Sequence, residues 1–320
     1  LGLLAIDTET TGVDWHDDAF MISVATIGTS TGHVVSHVID KREINYNEWN
    51  VAILAVTNRL KDSDRIIMHN AKFDLQKLNR LGIPMDVMAD KFEDTQAIAH
   101  LLDEHQSTGL KYLSRVVLGE ETDEDETLKV YRRKNKLKKE DGYEQIPNEI
   151  LAPYAAKDAE FTLLLYKTLM PLLEQHEDLM RLYKLEKELT LCLLDVEARG
   201  MMIDREYVMS KRKEYGDRIY ATKQRIGEIA GEEFNPRSPK QILETFAQRG
   251  VRVDATDKAT LSEVDDELAG LIVELRESDK IKATYFDALW EESKRDSVLH
   301  PNFRQHGTRT GRMSSGAAQA

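Results

Sequence analysis

The stretch "LLAIDTETTG" (residues 3–12) decides how the rest of the chain is read. Leu3 to Ile6 form an apolar run of the kind found in a strand covered on both faces. The strand then delivers Asp7 and Glu9, and side chains at i and i+2 of an extended chain share a face. Two like charges therefore stand side by side at the end of a hydrophobic strand. Taken alone, such a pair reads more readily as a turn or cap device. Its meaning depends on what else the chain brings to it.

Working outward, "AFMISVATIG" (19–28) and "HVVSHVID" (33–40) predict two further strands, with a hairpin connection at "STG" (30–32). "NEWNVAILAVTNRLKD" (47–62) has helical spacing, "DRIIMHN" (64–70) predicts a fourth strand, and "AKFDLQKLNRLG" (71–82) a helix ending at Gly82. This order describes an α/β sandwich around one mixed sheet. From about residue 92 the pattern is mostly helical, with candidates at "EDTQAIAHLLDE" (93–104), "GLKYLSRVVLG" (109–119) and "TLKVYRRKNKLKKED" (127–141). In the long segment 148–176, Pro153 marks either a helix start or a kink. The acidic "EQHED" (174–178) is a candidate junction, followed by long helices joined through a short extended "MMID" (201–204).

A chain of 320 residues has room for two cores. Its 41% hydrophobic and 32% charged residues place it with soluble globular proteins. No apolar run approaches the roughly 18 residues of a membrane span and no signal peptide is visible, so a cytoplasmic setting without a membrane partner is expected. The single cysteine, Cys192, lies in a helical pattern and is expected as a small core residue. A net charge of −13 argues at first against nucleic acid. Local basic clusters interrupt that average: "YRRKNKLKKE" (131–140), "NPRSPK" (235–240) and "RQHGTRTGR" (304–312). Each alone reads as a solvated face. The chain starts on its core strand at Leu1 and stops at "GRMSSGAAQA", and both ends read as edges of a longer chain.

Asp7 and Glu9 have companions. Asp74 falls in the first turn of the helix after the fourth strand, and Tyr154 and Asp158 lie four apart on one helical face. Uncompensated carboxylates brought together would repel. A hard divalent cation is the natural compensation: Mg²⁺ takes a few carboxylates, keeps several waters and leaves room for phosphate oxygens.

The D-x-E motif at Asp7 and Glu9, N-x-x-[FY]-D at Asn70 to Asp74, and Y-x-x-x-D at Tyr154 to Asp158 resemble, in that order, the tyrosine-bearing branch of the DEDD exonuclease superfamily. The resemblance implies an RNase H-like fold and a two-metal 3'-5' exonuclease with Asp7, Glu9, Asp74, Tyr154 and Asp158 as its catalytic residues. It implies that Asp7, Glu9 and Asp158 hold one Mg²⁺ or Mn²⁺, that Asp7 bridges to a second, and that Asp74 supports the second largely through water. One ion then activates a water while the other stabilises the leaving oxygen. Tyr154 is expected to orient that water, since a phenol pKa near 10 makes a poor base. Val13, as a wedge, with Asn70 and Phe73, is placed near the terminal nucleotide.

The second half resembles family A DNA polymerases, the DNA polymerase I group, through "EARGMMID" (197–204), "FNPRSPKQILETF" (234–246), "LRESDKIKATYFDAL" (275–289) and "HPNFRQHGTRTGRMSS" (300–315). This implies an exonuclease domain over 1–175, a mainly α-helical linker and thumb over 176–299, and the start of a palm over 300–320. Ser238 and Lys240 at a helix start, with Arg276 and Lys280, are implied to grip duplex phosphates, and Arg312 to reach the minor groove. The implied function is proofreading: removal of nucleotides from DNA 3' ends by a monomer, with single strands at the nuclease site and primer-template duplex at the thumb. Polymerisation is expected only of a longer parent carrying palm and fingers, in a bacterium or a phage-infected cell. The alternatives are an RNase D-like or Werner-like exonuclease acting on RNA or repair ends, and a non-catalytic DNA-binding fragment. Residues 300–320 are expected to be loosely docked.

Overall fold

The computed structural model describes residues 2–28, 32–120, 123–138 and 141–316. The chain divides into two compact units, residues 1–196 with 304–314, and residues 197–303 with 315–320.

The first unit is built on a five-stranded sheet of order β3-β2-β1-β4-β5. Strands β1 (Leu3–Thr10), β2 (Ala19–Ile27) and β3 (Val34–Asp40) run antiparallel in succession, as their hairpin-like spacing requires. After the crossover helix α1 (Tyr46–Asp62), β4 (Arg65–Met68) pairs parallel with β1. Asn45 and Glu48 close a capping box at the start of α1. Helix α2 (Ala71–Arg80) then leads to β5 (Phe92–Asp94), parallel to β4. The hairpin connection at "STG" falls largely outside the described residues, at Ser30 and Thr31.

Period-2 alternation gives the sheet two different faces. Leu4, Ile6, Ile22, Val24, Ile66 and Met68 pack against Trp49, Val56 and Leu60 of α1 and Leu75 and Leu78 of α2. On the other side Ala5, Ala25 and Ile67 meet Ala159 and Leu163 of the long helix α6. Between these lie α3 (Thr95–Leu102), α4 (Leu110–Leu118) and α5 (Asp123–Lys134), and α6 (Asn148–Leu173) is followed by α7 (Glu177–Arg199). The small side chains on the α6 face let that helix lie close to the strands.

Several expectations need revision. The helix read from Glu93 begins at Thr95, because Phe92–Asp94 is a buried strand too short to show alternation. Helix α5 stops at Lys134 rather than running to 141, and the chain turns at Lys136 with φ 56°. Of the two readings of Pro153, a helix start is ruled out: both it and Pro171 lie inside α6. Cys192 is exposed, not a core residue. The buried stripe of α7 runs through Tyr183, Thr190 and Leu194, and position 192 points to the opposite side of a 3.6-residue turn. Of the tail expected to be loosely docked, residues 317–320 lie outside the described residues; within the described part, Gln305 Nε2 donates to Glu186 O (3.0 Å) and Oε2 (2.8 Å). Thr190 Oγ1 donates to Gln305 Oε1 at 2.9 Å.

The second unit is mainly helical, as expected: α8 (Arg205–Ala230), α9 (Pro239–Gln248), α10 (Lys258–Ser262), α11 (Glu267–Ile281) and α12 (Ala288–Ser293). Ile219, Ile226, Ile242, Phe246, Leu268 and Ile272 form its core. Met201–Met202 pairs antiparallel with Val298–Leu299. Gly200 permits that pairing, since it has φ 58° and a Cβ there would stand 2.5 Å from Val298 Cγ1. Among the described residues, no helix is long and apolar enough to cross a membrane.

The close contact between α6 and the sheet gives a direct test. Ala159→Leu adds a branched side chain against fully buried Ala5 and Ala25. The expected cost is about 1–3 kcal/mol, read as a lower urea midpoint. An unchanged midpoint would mean that α6 does not sit this close.

Candidate active site

Ala5, Asp7 and Glu9 share the face of β1 that α6 covers, and in α6 Asp158 directly precedes Ala159. The same packing that joins Ala5 to Ala159 thus carries Asp158 to the strand end. One carboxylate oxygen from each of Asp7, Glu9 and Asp158 lies within 4.8 Å of the others. Glu9 and Asp158 are buried and Asp7 is half-buried. Between the two acids of the strand, Thr8 serves α2 on the opposite face: its N–H and Oγ1–H both donate to Asp74 Oδ1, at 3.0 and 2.7 Å. Three successive residues therefore tie both helices to one point. Just beyond, the register against β2 shifts between Glu9 and Thr10, a bulge of the kind that re-aims side chains.

Helix α2 is held from both ends. Asn70 enters it in the left-handed region, with φ 67° and no side-chain cap of its own. Asp94, at the end of β5, supplies the cap instead, accepting from Asn70 N–H (3.0 Å), Ala71 N–H (2.9 Å) and Gln96 N–H (2.9 Å). His69 Nδ1 lies 2.8 Å from Thr95 Oγ1, and burial brings its pKa down to about 4 against the opposing charge of Asp94. It stays neutral and structural at neutral pH. Further along α2, the buried Lys77 donates Nζ to Asp14 O (2.6 Å) and Asp17 O (2.8 Å), and Gln76 Nε2 donates to Trp15 O (2.9 Å). These bonds pin the loop that presents Val13, which is 59% exposed although apolar. Phe73 is half-buried with the Lys77 ammonium 5.2 Å from its ring, and Asn70 is exposed.

Tyr154 stands one helical turn before Asp158. The Lys111 ammonium, from α4, pairs with Asp158 Oδ1 and lies 3.9 Å from the centre of the Tyr154 ring. Tyr143 meets the same ring edge-on at 6.1 Å. Arg132, from the basic stretch 131–140, lies 5.3 Å from the Tyr143 ring; Lys139 and Glu140 of that stretch fall outside the described residues.

The electrostatics follow from crowding. Burial, and then the charges of Asp74, Glu9 and Asp158, hold the Asp7 carboxyl well above its ordinary pKa. Glu9 is raised likewise, by burial first and Asp158 next, with Lys111 opposing. Burial also raises Asp158, and the Lys111 charge with hydrogen bonds from Lys111 and Tyr154 pulls it back. Asp74 is pushed up to about 7 by burial, against its two bonds from Thr8. Burial and the charge of Asp158 keep the Tyr154 phenol well above its usual value, so at neutral pH it is a donor and not a base. The donor set is all oxygen, and one ammonium, that of Lys111, stands against its three carboxylates. That chemistry fits hard divalent cations such as Mg²⁺ or Mn²⁺.

The residues singled out for duplex contact have the following places in the structure. Ser238 caps α9, its Oγ accepting from Gln241 N–H at 3.4 Å. Lys240 is exposed and 3.9 Å from Glu244. Arg276 donates to the backbone oxygens of Thr256 and, at 3.3 Å, Pro236, so it braces the loop that carries Ser238. Lys280 is exposed near the end of α11, and Arg312 is exposed in the 304–314 segment.

Sequence reasoning missed Lys111, Tyr143, Thr8 and Asp94. Lys111 is 47 residues from Asp158, and no spacing rule links them. Thr8 sits inside the D-x-E motif, where period-2 alternation could have assigned it to the α2 face.

The carboxylates predict a pH dependence for the metal-free chain. Folded Asp74 has a pKa of about 7 against an ordinary 3.8, so between these values the folded state holds a proton that the unfolded state releases. Stability therefore falls as pH rises through that window. Asp74→Asn keeps an oxygen for Thr8 and removes the charge. In EDTA at pH 7.5 it should be more stable than wild type by about 2–4 kcal/mol, with little difference near pH 4. Urea melts at both pH values check this, and equal stability at pH 7.5 would contradict it.

Comparison with known proteins identifies the family. A 3'-5' exonuclease family model matches residues 1–174, and a DNA polymerase family A model matches residues 205–318. DNA polymerase I of Pseudomonas aeruginosa is 28% identical, covering 98% of this chain and 36% of its own length. DNA polymerase I of Chloroflexus aurantiacus is 33% identical over 77% of this chain and 27% of its own, and the Escherichia phage T5 DNA polymerase is 29% identical over 80% and 34%. The chain thus spans about a third of these relatives' length. Among solved structures, the POL domain of Pol1 from M. smegmatis, in complex with DNA primer-template and dNTP, superposes with a TM-score of 0.69 at 19% identity, covering 98% of this chain and 51% of that one. With its first 174 residues matched by the 3'-5' exonuclease model and the following segment by the family A polymerase model, the chain belongs to the 3'-5' exonuclease family of the family A DNA polymerases.

Proposed function

We propose that the first unit removes nucleotides one at a time from DNA 3' ends by metal-dependent hydrolysis, as the proofreading part of a family A polymerase. The observation that carries this is the convergence of Asp7, Glu9 and Asp158 within 4.8 Å, with Asp74 tied to the same strand through Thr8. In this reading residues 1–175 form the nuclease, 176–299 a helical linker and thumb, and 300–320 the beginning of a palm. The DNA primer-template in complex with the solved neighbour and the family A match over 205–318 support DNA over RNA as substrate.

Asp7, Glu9 and Asp158 would hold one Mg²⁺ or Mn²⁺, with Asp7 and Asp74 serving a second. Such ions lower the pKa of a nucleophilic water and neutralise charge on the scissile phosphate. The chain's own residues do the rest. Tyr154, protonated and fixed between Lys111 and Tyr143, presents its hydroxyl as an orienting hydrogen-bond partner for the water. The loop gripped by Lys77 and Gln76 presents Val13 to the terminal base. Asn70, Phe73 and the chain turn at φ 67° shape the pocket for the last nucleotide. Ser238, Lys240, Lys280 and Arg312, with Arg276 as brace, offer contacts for the duplex, and the chain acts as a monomer.

Two substitutions test the reading. Asp7→Ala should reduce the shortening of 5'-labelled single-stranded DNA in Mg²⁺ by about a thousand-fold or more while the protein remains folded. EDTA should have the same effect on wild type, and an RNA strand should be trimmed more slowly than DNA. A near-wild-type rate for Asp7→Ala would refute the metal-site assignment. Tyr154→Phe removes orientation and keeps the carboxylates, so a smaller loss of about 10- to 100-fold in kcat is expected from single-turnover kinetics.

A further inference from the structure

We infer that Lys111 is the resident counter-cation of the carboxylate cluster: its ammonium holds Asp158 until a divalent cation displaces it, and then stays on the Tyr154 ring. The inference rests on the metal-dependent nuclease reading and assigns a positioning residue to it. Three observations carry it. The ammonium is paired to Asp158, one of the three carboxylates that converge on a single point. While paired to Asp158, the same nitrogen lies 3.9 Å from the Tyr154 ring centre and 5.9 Å from that of Phe161, so a cation–π contact accompanies the ion pair. Its helix is fixed in place, because the buried Leu113 of α4 packs with Leu165 and Leu169 of α6.

An ammonium and a divalent cation cannot share one oxygen of Asp158, since like charges about 4 Å apart repel strongly even in a partly wet site. A divalent cation on that oxygen would therefore break the Lys111–Asp158 pair and leave the ammonium its contact with the Tyr154 ring. Lys111 is in this sense a competitor for the metal and a support for Tyr154.

The test is a Mn²⁺ titration by calorimetry on the purified full chain without nucleic acid. Lys111→Gln should bind Mn²⁺ about tenfold more tightly than wild type, because the competing charge is gone. Lys111→Arg should bind it several-fold more weakly, because a guanidinium grips a carboxylate with two bonds and yields less readily. If the Gln variant fails to fold, the Arg variant alone decides. At saturating Mn²⁺, Lys111→Gln should also trim DNA more slowly, and that loss should vanish in a Tyr154→Phe background. Equal Mn²⁺ affinity in wild type and both variants would overturn the role of Lys111 and leave the nuclease reading standing. Absence of Mn²⁺ binding in wild type and variants alike would overturn both.

Discussion

Three carboxylates buried against one another at the end of β1 impose the constraint to which the first unit answers. Nothing in the packing of Asp7, Glu9 and Asp158 favours their ionised forms except Lys111 and the Tyr154 hydroxyl. Such a cluster opposes folding at neutral pH and persists only where the surroundings over-determine it. Here they do so through the sheet itself. Alternation sends Asp7 and Glu9 to α6 and Thr8 to α2, and the alanines at 5, 25 and 159 bring α6 close enough for Asp158 to arrive. Stability is given up at one point because tight packing on either side of it can bear the loss.

The second layer of support consists of polar groups that never reach the cluster. Asp94 satisfies the backbone at the start of both α2 and α3, and so fixes the helix that presents Asp74. Lys77 is buried to hold two carbonyls of the loop after β1, and burial lowers its pKa to about 8. A lysine is an expensive residue to bury. Its position makes sense if the loop bearing Val13 must keep one conformation while its apolar tip stays in water.

What could be read from the sequence follows from range. The D-x-E pair has a period of 2 and Tyr154 with Asp158 a spacing of 4, so local geometry already puts each pair on one face. The antiparallel start and the mixed sheet were legible for the same reason. Strand β5 was not, because three residues carry no period. Lys111 was not, because its partner is chosen by the packing of α4 on α6. Cys192 shows the limit differently: an apolar neighbourhood in the sequence placed it inside, while the turn of α7 points it outward. Arg276 is a further case, since its sequence context marks a cation but not the carbonyls of Thr256 and Pro236 that engage it.

The net charge of −13 and the proposed nucleic-acid substrate can be reconciled on the same physics. A site with three clustered carboxylates and one ammonium against them repels phosphate as well as itself. The cations that complete it would then be part of substrate binding and not only of chemistry, since each one reverses the sign of the local field. Lys111, paired to Asp158 and lying over Tyr154, and Arg132 over Tyr143 offset part of that charge without cancelling the need. Under the proposed function, an acidic chain with an acidic site would bind its substrate conditionally: metal loading and engagement of the strand would be linked equilibria, each strengthening the other. That linkage would keep the metal-free protein from holding DNA ends that it cannot process.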